Sequence, residues 1–420
     1  MRLILVFVFS SILVLCSAQD REKYILQAPY LFDGEEIHND KAVVIAEDKI
    51  VDIIPSGDIS KWDGYEIINY PEHTLMPGMI EGHSHLLLHP YNETSWNDQV
   101  LKESLAERAI RAANHAKATL LAGFTTIRDL GAEGARYTDV GVKQSIEKGV
   151  IPGPRMIVAG PAIVATGSYG PKGFADHVRI PLGAHEADGH NDLIKEVRTQ
   201  IGNGADVIKV YADYRWGPYG IAMPTFSLEE LELIVKTAQS SGRKVVAHAA
   251  TAEGMRRATL AGVTSIEHGD AGTPEVFKLM SENGVSLCPT IAAGDAIMQY
   301  RGWQKGIDED PERIKLKKKS VASALKSGVP ILAGGDVGVF THGENVRELE
   351  LMVEYGMPTL EVLQCVTSGN ADLLGYNNQI GRLKKGLNAD IIAIKGRPEQ
   401  DITSLWNVSM VMKDGKLYKK

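Results

Sequence analysis

The sequence predicts an α/β protein: a (β/α)8 barrel with a small β-sandwich domain beside it. Between residues 75 and 378, short apolar runs alternate with helix-length patterns, and eight of the runs have the features of strands. The segments on either side, 19–74 and 379–420, contain strand patterns and turns instead, and we expect them to pair into one sandwich. Polar residues gather where the predicted barrel strands end, which is where barrel enzymes place their sites.

Residues 1–18 have the features of a secretory signal peptide. A basic residue precedes the apolar stretch Leu3–Leu15, which is too short to span a bilayer comfortably. Small residues follow it, so we expect the mature chain to begin at Gln19 and to be secreted or periplasmic. Lipid attachment at Cys16 is the alternative, although the residue before it is bulkier than lipoprotein signals usually carry.

The first predicted barrel strand lies within Met76–His85 and ends at two histidines. Seven further strands are predicted along the chain: Thr125–Leu130, Arg155–Val164, Asp206–Tyr211, Lys244–His248, Val263–His268, Val285–Pro289 and Val329–Asp336. Helical patterns separate them, for example Glu103–Leu121 and Glu312–Lys326. An open doubly wound sheet is the alternative, but the sequence has no glycine-rich dinucleotide turn and the strand count favours closure.

Composition and charge limit the possible functions. The 420 residues are 44% hydrophobic and 23% charged, as in ordinary soluble globular proteins. The net charge of −8, without a long basic run, argues against a nucleic-acid partner. No membrane span is predicted, and the expected partner is a small molecule. Association into a homo-oligomer is left open.

Several potential metal ligands lie at predicted strand ends. Alternate residues of a strand share a face, so His83 and His85 point the same way and can hold one metal ion. His248 ends the fifth strand, His268 the sixth and Asp336 the eighth. Taken singly, each histidine also fits a hydrogen-bonded core residue, and Asp336 fits a turn. Their joint placement predicts a metal site.

Lys209 lies in the fourth predicted strand, on the same face as Val207 and Tyr211. If this face lines the barrel, a bare ammonium is costly there. A neutral lysine can take up carbon dioxide to become a carbamate, whose two oxygens can bridge two cations. The alternative is that Lys209 faces solvent or a buried acid.

The sequence resembles the amidohydrolase superfamily, most closely its prolidase-like and imidazolonepropionase-related members. The resemblance rests on the strand-end motifs MPGMIEGHSH, ADVIKVYAD, VVAHAAT, VTSIEHG and ILAGGD, and on the closing segment IGRLKKGLNADIIAI. It extends from about Tyr24 to the C-terminus. It implies a metal-dependent hydrolase of carbon–nitrogen bonds, not of esters, on a (β/α)8 barrel.

The resemblance also implies two divalent metal ions, expected to be zinc, with a hydroxide between them; manganese and iron can use the same donors. Their six ligands would be His83, His85 and Asp336 for the first ion, His248 and His268 for the second, and carboxylated Lys209 as the bridge. Asp336 would carry a proton from the hydroxide to the leaving amine. Tyr211 would donate a hydrogen bond to the developing oxyanion, or else simply line the barrel.

The sequence departs from the family pattern at two places. Glu81 stands where relatives usually carry aspartate, and its expected role is to support a ligand or the barrel floor. After the third strand, Ala165–Gly170 replaces a Gly-Gly-His-Gly stretch, so the family pattern does not predict which residues line the substrate pocket. Arg128, Tyr169 and His342 are candidate contacts for a substrate carboxylate, and surface or capping roles are the alternative for Arg128 and His342.

The predicted reaction is hydrolysis of an amide bond in a small peptide-like substrate: an Xaa-Pro or other dipeptide, or an N-acyl amino acid. A mononuclear deaminase, or a cyclic-amide or imidazolonepropionase-like ring-opening hydrolase, is the alternative on the same barrel. Lys209 argues against the deaminase but not against the ring-opening hydrolase. A catalytically inactive scaffold is the third hypothesis, disfavoured because all six ligands are present.

Overall fold

The structure, a computed structural model, describes residues 23–420, so the predicted signal peptide and Cys16 lie outside it. The strands of the N-terminal segment are β1 (Lys23–Gln27), β2 (Tyr30–Phe32), β3 (Ile37–Asn39), β4 (Lys41–Ala46), β5 (Lys49–Pro55), β6 (Glu66–Asn69) and β7 (His73–Pro77). The middle of the chain contributes β8 (Met79–Ser84), β9 (Phe124–Asp129), β10 (Arg155–Val158), β11 (Ile163–Val164), β12 (His185–Glu186), β13 (Val207–Tyr211), β14 (Asp213–Tyr214), β15 (Met223–Pro224), β16 (Lys244–Ala249), β17 (Ser265–His268) and β18 (Ser286–Cys288). The last strands are β19 (Ile391–Lys395), β20 (Val408–Lys413) and β21 (Lys416–Lys419).

The α-helices are α1 (Trp96–Lys102), α2 (Leu105–Leu121), α3 (Thr138–Glu147), α4 (Gly189–Gly202), α5 (Leu228–Gln239), α6 (Ala252–Ala261), α7 (Pro274–Glu282), α8 (Ile291–Tyr300), α9 (Glu312–Lys326), α10 (Val346–Glu354), α11 (Thr359–Gln364) and α12 (Asn370–Leu374). In α2, Ala112, Ala116 and Leu120 recur every fourth residue and are all buried, which gives the helix one apolar face. Ser104 caps this helix by accepting a hydrogen bond from Glu107 N. Within residues 23–420, no helix has the length and apolar character needed to cross a membrane.

The two ends of the chain share a sheet. One four-stranded sheet has the order β5-β4-β1-β6, and a six-stranded sheet has the order β21-β20-β19-β7-β2-β3. In the second sheet, β19 pairs antiparallel with β7, which joins the C-terminal strands to the N-terminal segment. Side chains of both sheets pack in one apolar core that includes Leu26, Val43, Leu75, Ile391 and Met410.

The middle of the chain alternates parallel strands with helices. The strands form two arrays, β10-β9-β8 and β12-β11-β13-β16-β17-β18. Asp206 N donates to Val158 O (2.8 Å), which connects the chain before β13 to β10. The protein is therefore of mixed α/β class, and the carboxyl ends of these parallel strands meet at one edge.

The prediction of a regular eighth strand over Val329–Asp336 is wrong. This segment forms only isolated bridges, but it runs between β18 and β8: Leu332 N donates to Leu287 O, and Asp336 N donates to His83 O, both at 2.8 Å. Two features interrupt it. A side chain at Gly334 would lie 2.5 Å from His83 N, so only glycine permits this approach, and Asp336 has a left-handed φ of +62°.

Candidate metal centre and substrate cavity

Three predicted ligands converge at the carboxyl ends of the parallel strands. The Nε2 atoms of His83 and His85 lie 3.3 Å apart. Oδ1 of Asp336 lies 3.6 Å from Nε2 of His83 and 3.2 Å from Nε2 of His85. Both histidines are buried, and 14% of the Asp336 side chain is exposed. Two imidazole nitrogens and a carboxylate oxygen therefore face one point, as ligands of a metal ion do.

The other ring nitrogens fix the orientation of these histidines. Nδ1 of His85 lies 2.9 Å from the carbonyl oxygen of Gly131, which can only accept a hydrogen bond. Nδ1 of His85 therefore carries the proton, and Nε2 offers a lone pair. Nδ1 of His83 lies 2.9 Å from Oε2 of Glu267, which favours the same tautomer.

The two remaining histidines adjoin this group. The His268 ring lies 5.2 Å from the His83 ring and 4.4 Å from the His248 ring, measured between centroids. Ligand atoms of His83, His268 and Asp336 all lie within 4.8 Å of one another. Nδ1 of His268 pairs with the hydroxyl of Thr290 at 2.8 Å, which leaves its Nε2 available.

Lys209 lies beneath these ligands in β13 and is 1% exposed. Within residues 23–420 its ammonium forms no hydrogen bond or ion pair; the Tyr211 ring centroid lies 5.7 Å from Nζ. Burial lowers the pKa of Lys209, against the opposing effect of the charges of Glu267 and Asp336. Carbamate formation requires an uncharged amine, which a lowered pKa makes easier to reach, and imidazole, carboxylate and carbamate are all donors that divalent metal ions accept.

Strained backbone surrounds the same point. His268, Thr290, Asp336 and Glu133 adopt left-handed φ angles of +77°, +46°, +62° and +43°, although none is glycine. All four line one cavity. Such conformations cost about 1–3 kcal/mol each and cluster at functional sites.

The cavity has a volume of about 910 Å³ and opens above the candidate metal centre. Tyr211 and Tyr169, both predicted site residues, line it, together with Trp96 and Tyr214. Three cationic side chains also reach it: Arg215, Arg301 and Arg313. Arg313 lies 3.8 Å from Asp270, whereas Arg301 forms no ion pair within the described part of the chain.

The prediction that Arg128 and His342 contact a substrate carboxylate is wrong, because neither lines this cavity. Arg128 is 2% exposed and donates to Gly82 O (2.7 Å), the Ser265 hydroxyl (2.9 Å) and Oε1 of Glu267 (2.9 Å). Its guanidinium is therefore held by buried partners and does not reach the cavity.

His342 is also engaged elsewhere. Its Nε2 pairs with Leu88 O at 2.9 Å, and its ring stacks on His115 with centroids 4.2 Å apart. Arg128 stands in the second predicted strand and His342 follows the eighth, and sequence spacing does not show which way either side chain turns.

Three acidic residues support the site. Glu267, which the sequence analysis missed, binds both His83 and Arg128. In the sequence, the only indication of this role is that Glu267 directly precedes His268 in β17. Glu81 accepts hydrogen bonds from His83 N (3.1 Å) and Gly335 N (2.8 Å), so it joins the two ligand segments. Burial raises the pKa of Glu81 to about 7.

Glu133, also missed, lies in the loop after β9 and accepts hydrogen bonds from Tyr169 (2.7 Å) and Trp96 (2.8 Å). Its own segment carries no motif, and only the fold brings these side chains together.

Comparisons with known proteins agree with this geometry. The sequence profile of the Amidohydrolase family matches residues 74–418. Ochratoxinase of Aspergillus niger is 30% identical over 97% of this chain and 89% of its own length. Its crystal structure has a TM-score of 0.81 at 28% identity over 95% of this chain and 96% of that one.

A Xaa-Pro dipeptidase, solved with methionine in its active site, is also similar. It has a TM-score of 0.84 at 33% identity and covers 95% of this chain and 100% of its own. The family match spans most of the sequence and includes every candidate ligand. The chain therefore belongs to the amidohydrolase family and is a hydrolase that acts on amide bonds.

Proposed function

We propose that this protein hydrolyses an amide bond in a small peptide-like substrate, either an Xaa-Pro or other dipeptide or an N-acyl amino acid. The observation that carries the proposal is the convergence of His83 Nε2, His85 Nε2 and Asp336 Oδ1 within 3.6 Å, at the base of a large cavity. The similarity to a Xaa-Pro dipeptidase supports a dipeptide substrate.

Two divalent metal ions, zinc in our proposal, would be held by six residues: His83, His85, His248, His268, Asp336 and carboxylated Lys209. When bound, such ions polarise a carbonyl and lower the pKa of a water molecule. The bridging carbamate forms when the neutral amine of Lys209 bonds to carbon dioxide and releases a proton. The burial of Lys209 and the absence of a hydrogen-bonding partner for it within the described residues support this step.

Asp336 would hold and move the proton. Burial alone would raise its pKa, but the neighbouring His83 and a hydrogen bond with His85 lower it overall, so the carboxylate is ionised. It would take a proton from the attacking water and pass it to the leaving nitrogen. Tyr211, stacked on His248 with centroids 4.5 Å apart, would donate its hydroxyl to the developing oxyanion.

The cavity walls would bind the remainder of the substrate. Apolar and aromatic side chains such as Tyr91, Tyr169 and Ile297 line it, and a few polar groups fix orientation. Arg301 and Arg313 replace Arg128 as the cations for a substrate carboxylate, because they reach the cavity from the end of α8 and the start of α9.

We extend the proposal to the architecture and location. The hydrogen bonds of segment 330–337 to both β18 and β8 support closure of the parallel strands into a (β/α)8 barrel, with domain limits at 75 and 378. The N-terminal signal pattern supports secretion, where such an enzyme would meet extracellular peptides and amides.

The test is a substrate screen with purified protein of measured zinc content. Xaa-Pro dipeptides, other dipeptides, N-acyl amino acids, cyclic amides and amidine-type deamination substrates are compared at equal metal loading, with chelated protein as the control. We expect turnover of the linear amides. Turnover confined to cyclic amides or to deamination would contradict the proposal while leaving the metal centre intact.

A further inference from the structure

A carboxylate stands among aromatic rings in the wall of the cavity. Glu133 is 3% exposed and is flanked by Trp96, Tyr169, Tyr211 and Tyr214, and all five side chains line the cavity. The Tyr169 ring lies 5.3 Å from that of Trp96, 4.8 Å from that of Tyr211 and 4.8 Å from that of Tyr214, between centroids. We name these five residues the Glu133 cage.

The hydrogen bonds of Glu133 are unequal. Oε2 accepts from Trp96 Nε1 at 2.8 Å and from the Tyr169 hydroxyl at 2.7 Å. Among the residues that the structure describes, Oε1 accepts only from the Tyr211 hydroxyl, at 3.4 Å, although a carboxylate oxygen can accept two hydrogen bonds. Within residues 23–420, no lysine, arginine or histidine forms an ion pair with Glu133. The Arg108 guanidinium donates to the backbone carbonyl oxygen of Glu133 at 2.7 Å, whereas Oε1 of the side chain keeps capacity for a positively charged donor.

The cage also borders the metal centre. A carbon atom placed on Cα of Gly131 would lie 3.3 Å from Oε1 of Glu133 and 3.4 Å from Cε1 of His85. A single carbon atom would therefore be in contact with both the Glu133 carboxylate and the His85 ring, so the gap between these two groups is narrow. A group adjacent to a scissile amide at the metal centre would be within reach of Oε1.

A buried carboxylate with an acceptor oxygen to spare is the chemistry that recognises an ammonium group, through a charge-assisted hydrogen bond. We propose that the Glu133 cage binds the free α-ammonium group of a dipeptide, and that the enzyme therefore prefers dipeptides to N-acyl amino acids. This inference rests on the proposed function and narrows it to substrates with a free amino terminus. Arg301 at the end of α8 and Arg313 at the start of α9 would then face the other end of the substrate.

Three substrates that differ only in the substituent on the α-carbon isolate the contact between Glu133 and the ammonium group. They are the alanyl, lactoyl and propanoyl amides of the same amino acid, chosen as the leaving residue that the screen above turns over fastest. Their α-substituents are ammonium, hydroxyl and hydrogen. A hydrogen bond to a charged group predicts that kcat/KM for the alanyl compound exceeds that for the lactoyl compound about 10- to 100-fold.

The variant Glu133→Gln removes the charge and keeps the shape. It is expected to reduce the alanyl-to-lactoyl ratio to about one, by lowering kcat/KM for the alanyl compound alone. Tyr169→Phe removes a hydroxyl that donates to Oε2 but keeps the charge, so its ratio stays within about threefold of wild type. Glu147→Gln, on the exposed end of α3, serves as the matched control.

Equal rates for alanyl and lactoyl compounds in the wild type would overturn the inference, as would a ratio that survives in Glu133→Gln or collapses equally in Tyr169→Phe. These results would leave amide hydrolysis standing. If no amide is hydrolysed, the proposed function fails and calorimetry decides the cage separately. Saturable binding of n-propylammonium chloride that is lost in Glu133→Gln then supports it, and absence of binding to the wild type overturns it.

Discussion

Glu267 accepts a hydrogen bond from Nδ1 of His83 at 2.9 Å, and it does so from the strand that also carries His268. Glu267 is completely buried and is held on its other side by Arg128, also at 2.9 Å. Burial would raise the pKa of Glu267, but the charge of Arg128 and the hydrogen bond from His83 lower it overall. The ionised carboxylate thus keeps Nε2 of His83 free for a metal ion.

Glu267→Gln should weaken metal binding. The substitution removes the charge that orients His83, and losing such a partner typically costs about 10- to 100-fold in metal affinity. Competition against a chelator of known affinity measures the effect, with Glu282→Gln on the surface of α7 as the matched control. Unchanged affinity in Glu267→Gln would show that His83 is oriented by other contacts.

Arg128→Leu should damage stability and leave substrate selection intact. Removing one partner of a buried ion pair costs about 3–5 kcal/mol, because Glu267 is left charged without its cation. Chemical denaturation measures the free energy of unfolding, and KM is compared for substrates with and without a carboxylate. A rise in KM confined to carboxylate-bearing substrates, at normal stability, would restore Arg128 to the substrate site.

Asp336→Asn should reduce kcat more than it raises KM. The amide keeps an oxygen facing the metal site but cannot accept the proton, and general acid–base catalysis contributes about 10²–10⁴-fold. Metal content is measured on the same samples, so that loss of an ion is not mistaken for loss of the base. A kcat within tenfold of wild type at full metal content would remove Asp336 from proton transfer.

Lys209→Ala should abolish activity, and a short-chain carboxylic acid should restore part of it by replacing the carbamate. Burial lowers the pKa of Lys209, which makes its neutral amine easier to reach, and reloading of chelated wild-type protein should be faster with added bicarbonate. Lys209→Met keeps the apolar volume without the amine. Normal turnover and metal content in Lys209→Met would rule out the bridging role.

The sequence predicted the parts of the site that follow strand periodicity. His83 and His85 share a face and a strand end, and alternation placed Lys209 in the interior, as the structure has them. The eighth strand was misjudged, because Gly334 and the left-handed Asp336 interrupt an apolar run. The contacts of Glu267 and Glu133 could not be predicted, since each joins segments far apart in the chain.

The sequence predicted the substrate contacts less well than the metal ligands, for a related physical reason. Arg128 follows the strand pattern as well as any ligand does, but its guanidinium meets Glu267 across the interior. Whether an arginine faces a cavity or a buried acid depends on partners more than 100 residues away in the sequence. Arg301 and Arg313 lie in a segment whose course over the cavity only the fold determines.

The six candidate ligands are expected to form a binuclear metal centre. Elemental analysis of active protein that has never been exposed to chelator tests it most directly, combined with activity measured as metal is returned to chelated protein. We expect two ions per chain, and full activity only after the second equivalent of metal has been added. One ion or fewer per fully active chain would contradict it.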